Sequence, residues 1–164
     1  MDLKVLGAIG FGLIVSLMLG FFIIPTDLTI ERAVLVDASP EEIYPHIEDL
    51  SRWDSWDPWG TQVQGEPTRG EGARRTWSRG GVLHVEDAEQ DIRLMYTVDG
   101  APVPTSGSLE LLNDDEGTVV VWTHYTQTGY MPSARLAGWA ARSELALEMD
   151  EALGLLKADI ESPP

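Results

Sequence analysis

No cysteine occurs in the chain, which removes disulfides, thiolate metal sites, a cysteine nucleophile and an acylated cysteine from consideration. Basic residues are scarce: 11 lysines and arginines stand against 27 aspartates and glutamates in 164 residues, a formal charge of −16. Nucleic acid is bound by clustered Lys and Arg, so it is excluded as a partner, and anionic lipid headgroups are disfavoured. The basic doublet Arg74-Arg75 is flanked by Glu71. His46, His84 and His124 show no paired ligand spacing, so no metal is expected. A Gly-x-Ser-x-Gly elbow, a phosphate-cradling glycine loop and a dinucleotide fingerprint are all missing, and no cofactor is expected. No internal repeat is visible, and the length suits one domain with a real core.

Phenylalanine is rare as well, and its placement is informative. All three, Phe11, Phe21 and Phe22, fall within residues 5–24, a run of twenty without a charge. As a helix this run spans about 30 Å, the thickness of a bilayer's hydrocarbon core. Thirteen of the twenty are Val, Leu, Ile or Phe; insertion is worth about −6 kcal/mol before the glycines subtract some. The run closes on Phe21-Phe22-Ile23-Ile24-Pro25 with no small-x-small cleavage site, so a retained anchor is expected rather than a cleaved signal peptide. Lys4 precedes the run, while Arg32 follows it among Asp27, Glu31 and Asp37. The positive-inside bias then predicts an exported domain. Ala8, Gly12, Ser16 and Gly20 form a small-residue stripe, read either as a self-association face or as the ordinary glycine content of membrane helices. The division expected is anchor and linker over 1–27 and one domain over 28–164.

Beyond the anchor, Thr29 to Asp37 reads as a β-branched strand. Ser39 with Glu42 makes a capping box and Pro40 sits at the first helical position, opening the first of two short helices. Trp53, Trp56 and Trp59 recur at a spacing of three before Gly60. They read as core, as a cavity mouth, or as an interfacial aromatic belt. Strands are expected around 62–64, 72–78, 82–88, 92–98, 105–112 and 118–127, with Arg79-Gly80-Gly81 and the acidic segment 113–117 as hairpin turns. From Ser133 to Ile160 the residues favour helix, with Leu145, Met149, Ala152, Leu153, Leu156 and Ile160 on one stripe. Gly138 and a drift of the apolar face near Ser143 predict a bend or two segments.

Ala38-Ser39-Pro40-Glu41-Glu42, the run Asp49-Leu50 to Pro58-Trp59, Gly117 to Trp122, and Leu153 with Leu156-Lys157 occur in that order. In these pieces residues 28–161 resemble the START-like helix-grip superfamily, most closely its polyketide cyclase/dehydrase-like (SRPBCC) members. The resemblance implies an α+β fold, β-α-α-β6-α, in which a curved antiparallel sheet wraps a long C-terminal helix around a cavity.

Strand alternation turns Ile92, Leu94, Tyr96 and Val98 inward. By resemblance Trp77, Val120, Trp122 and His124 share that face, although Val119, Val121, Thr123 and Tyr125 form an equally apolar alternative. The expected cavity lining is therefore Trp77, Leu94, Tyr96, Val120, Trp122, His124, Trp56, Trp59 and Met149. Its expected occupant is a hydrophobic small molecule or lipid. His124 and Tyr96 are the polar groups of catalytic type, and each also has an inert reading, a hydrogen-bonded histidine and a packing tyrosine. Asp54 and Asp57 read either as paired carboxylates or, at a spacing of three that suits it at least as well, as helix surface. Three functions follow: a membrane-tethered binding module, a polyketide cyclase/dehydrase-like enzyme, or a ligand-free structural domain with its cavity filled by Trp77, Trp122 and Met95.

Overall fold

The computed structural model describes residues 25–162, together with Gly12. Strand β1 (Asp27–Val36) leads into helix α1 (Pro40–Glu48), where the Glu42 carboxylate accepts the Ser39 N–H at 2.9 Å. The expected second short helix is a single 3₁₀ turn, Arg52–Ser55. Six strands follow: β2 (Gly60–Val63), β3 (Arg74–Trp77), β4 (Val82–Glu89), β5 (Arg93–Asp99), β6 (Thr105–Asp114) and β7 (Gly117–Gln127). They form one antiparallel sheet in the order β1-β7-β6-β5-β4-β3-β2. The first strand therefore returns to pair with the last, Ile30 opposite His124 and Arg32 opposite Trp122. Helix α2 (Pro132–Glu161) lies against this sheet, burying Leu145, Met149, Ala152, Leu153 and Leu156.

Four expectations are corrected. Ile92 does not point inward: it lies in the β4–β5 turn, 49% exposed, where its N–H is held by the Glu89 carbonyl. The inward series of β5 is Leu94, Tyr96 and Val98. Helix α2 is one segment rather than two, continuous through Gly138 and Ser143. A Cβ at Gly138 would come within 2.5 Å of Thr128 Cγ2, so this glycine serves close approach to the end of β7 rather than a break. Asp57 is buried instead of lying on a helix surface, because it answers a buried arginine. The Trp53, Trp56 and Trp59 rings are all buried, which rules out the interfacial belt.

No helix among the described residues is long and apolar enough to cross a membrane. The predicted span, residues 5–24, lies outside them apart from Gly12.

Candidate functional site

On β7 the alternation settles with Val120, Trp122 and His124 buried. Trp122 sits behind the cavity in the core, edge-on to Trp56 at 5.9 Å and tilted against Trp59 at 5.0 Å. Its indole N–H donates to the Tyr96 hydroxyl at 3.0 Å. That hydroxyl crosses over Gly107 of the intervening strand, where a Cβ would lie 2.4 Å from it. Gly107 is thus the residue that lets β5 and β7 share a polar contact. Tyr96 Oη also lies 3.5 Å from His124 Nδ1, while Nε2 of the same ring is 3.1 Å from the Thr126 hydroxyl.

The aromatic layer continues toward solvent. Trp59 stacks on Trp77 at 5.4 Å, and His124 stacks on Trp77 at 5.9 Å. Glu148 of α2 accepts the Trp59 indole N–H at 2.8 Å and pairs with Arg79, whose guanidinium lies over the Trp59 ring. One helix carboxylate therefore clasps both the tryptophan segment and the β3–β4 hairpin.

Beyond Trp77 and His124 the sheet and helix diverge around a cavity of about 350 Å³. The sheet contributes Leu28, Val98, Thr105 and Thr126; the β5–β6 loop adds Ala101, Pro102 and Val103. Helix α2 contributes Ala134, Ala137, Gly138, Ala141 and Leu145. Side chains this small leave the gap: had the first half of α2 carried leucines there, the space would be core. The lining is mostly apolar, with Arg79, His124 and hydroxyls as its polar groups, and its volume falls in the roughly 300–1,000 Å³ range of ligand clefts.

Of the expected lining, Trp77 and His124 border this cavity. Leu94, Tyr96, Val120, Trp122, Trp56, Trp59 and Met149 do not; they are buried in the core one layer behind, because the aromatic rings fill the space between sheet and helix there. Neither Trp122 nor Met95 fills the cavity: the former lies behind its wall and the latter points to solvent. Missed by the sequence reading were the small face of α2 and the β5–β6 loop. The spacing of Ala134, Ala137, Gly138 and Ala141 was the available signal.

Burial drives the His124 pKa down to about 4, with the nearby Arg79 charge acting in the same direction. The imidazole is therefore neutral at pH 7. Burial likewise pushes the Tyr96 phenol far up, so it stays protonated. His124 thus presents a neutral imidazole at the cavity wall, with the Tyr96 hydroxyl behind it. Among the described residues no group of His, Cys, Asp and Glu is arranged to hold a metal.

A second buried polar cluster braces the site from behind. Arg75 donates to the Leu50 carbonyl at 2.7 Å and to Asp54 at 2.8 Å, and its Nε lies 3.6 Å from Asp57. Asp57 accepts the N–H groups of Trp59 and Gly60 at 3.1 and 2.8 Å. Its pKa is nonetheless raised, burial outweighing these hydrogen bonds and the arginine. The cluster holds the tryptophan segment onto β3.

The family model described as polyketide cyclase / dehydrase and lipid transport matches residues 27–161. The chain belongs to this family. Solved structures share the fold with this chain at low identity. The di-domain ARO/CYC BexL from the BE-7585A biosynthetic pathway is 16% identical over 85% of this chain and 52% of its own, with a TM-score of 0.65. CalU16 from Micromonospora echinospora is 19% identical over 84% of this chain and 76% of its own, at a TM-score of 0.58. A protein from Rhodobacter sphaeroides is 26% identical over 82% and 91%, at 0.59. A comparison with curated proteins found no match. The polyketide cyclase / dehydrase and lipid transport domain here thus has the helix-grip architecture: a curved seven-stranded sheet and a long C-terminal helix.

Proposed function

We propose that this protein is a membrane-tethered binding module for a hydrophobic small molecule or lipid, held between the sheet and the first half of α2. The observation that carries the reading is the apolar cavity, faced by alanines and glycine on the helix and by Trp77 on the sheet. Burying apolar ligand surface there is favourable by about 25 cal/mol per Å². The charge-free run 5–24 supports the tether, and the Lys4 bias supports export of the domain. A short linker keeps the cavity close to the bilayer, shortening the path of an apolar ligand.

The test is native mass spectrometry of the full chain released from detergent after purification from cells. A bound apolar molecule is expected, and it is lost in Ala141→Phe, which fills the cavity from a half-buried helix position. Absence of any adduct from the unsubstituted chain contradicts the reading.

A second reading, a cyclase/dehydrase-like enzyme, is favoured by one observation: His124 presents a neutral imidazole at the cavity wall beside Thr126. Such a group can accept a hydrogen bond from a carbonyl-bearing substrate held in the cavity, and it serves as a base only where the bound substrate raises its pKa from about 4 toward the working pH. The description of BexL as an ARO/CYC protein supports the same direction.

A further inference from the structure

The first half of α2, with the two residues that precede it, has a second face, turned away from the cavity. Tyr130 is 89% exposed and Trp139 is 61% exposed, with Met131 and Leu136 exposed beside them. Leu136 and Trp139, three apart, share one side of the helix. This is unusual company in a chain so acidic. From Gly117 to Ser143 no Asp or Glu occurs, and carboxylates resume only at Glu144. The charged residues of that stretch are the buried Arg135 and the exposed Arg142, of which Arg142 is suited to lipid phosphate.

The position of the N-terminal segment selects the occupant. Thr128 donates to the Thr26 carbonyl through both its N–H (2.9 Å) and its hydroxyl (2.7 Å), and its methyl packs against Gly138. These contacts hold the start of the domain against α2. Pro25, which directly follows the charge-free run 5–24, lines the same surface cleft as Trp139 and Arg142. A chain leaving a bilayer at residue 24 has no slack to carry this face away from it.

We propose that the N-terminal half of α2 docks on the surface of a zwitterionic bilayer through Tyr130, Met131, Leu136 and Trp139, with Arg142 meeting lipid phosphates. This rests on the tethering part of the proposed function, and goes beyond it by naming the surface that touches lipid. Because the opposite side of the same turns lines the cavity, the docked helix stands between bilayer and ligand site.

Tryptophan emission reads the contact directly. Trp53, Trp56, Trp59, Trp77 and Trp122 are buried in the domain, whereas Trp139 is exposed. The full chain is reconstituted into phosphatidylcholine vesicles with plain or brominated acyl chains. The expected result is partial quenching by bromine, abolished in Trp139→Phe and strongly reduced in Leu136→Glu, with both variants resisting alkaline carbonate extraction. Equal emission in the two lipids from carbonate-resistant protein overturns the docking and leaves the tether standing. Extraction by carbonate overturns both. Trp139 shielded from aqueous acrylamide yet insensitive to bromine means that another protein segment covers the face, which also overturns the proposal.

Discussion

Around His124 the polar contacts run through Trp122, Tyr96 and Thr126, and their energetic consequence is a pH dependence. Its folded pKa of about 4 lies below the ordinary histidine value of 6.5, so between these values the unfolded chain binds a proton that the folded chain refuses. Stability is then fully present above pH 6.5 and declines as pH falls toward 4, by roughly 3 kcal/mol. His124→Gln keeps every other titration, so the wild-type chain is expected to lose that amount relative to the variant over this window. Denaturant melts at a series of pH values check it, and parallel profiles contradict it. The sequence made His124 and Tyr96 visible as candidates but not their proximity. That proximity needs the register across three strands, and Gly107, which opens the way between them, looks like any strand glycine until Tyr96 is seen lying over it.

At the level of elements, β3 and the tryptophan segment are joined by Arg75. Ala73, Arg75 and Trp77 are all buried, a period of two. Placing Trp77 inward therefore already implied an inward arginine, yet beside Arg74 it stood out only as half of a basic doublet. Removing Arg75 strands Asp57 in the core, and Arg75→Ala is expected to cost about 3–5 kcal/mol. Arg75→Met combined with Asp57→Asn should recover much of that loss, since the desolvated charge goes with its partner. Urea melts decide it; a loss below about 1 kcal/mol for the single variant would contradict the buried pair. The order of strands and the cap of α1 were legible because they depend on local chemistry, turn glycines and a Ser-Pro-Glu-Glu start. The continuity of α2 was not, because Gly138 answers a tertiary contact with Thr128 and not a helix stop.

Over the whole molecule, the buried core among the described residues runs from Ile30 to Leu156. Residues 27–162 are therefore expected to fold alone. Within them the aromatic layer and the cavity are distinct: Trp122 belongs to the first and Ala141 to the second. The sequence placed both among apolar positions and had no means of saying where rings fill the sheet–helix gap and where alanines leave it open. The most direct measurement is a fluorescence titration of fragment 27–162 with 1-anilinonaphthalene-8-sulfonate, alongside thermal melts, for the parent, Trp122→Ala and Ala141→Phe. The expected result is a saturable site in the parent that Ala141→Phe abolishes at nearly unchanged stability. Trp122→Ala should lose about 3–5 kcal/mol of stability yet keep the site while folded. A folded parent that shows no saturable binding, or binding that survives Ala141→Phe, would contradict the assignment of this cavity as the ligand site.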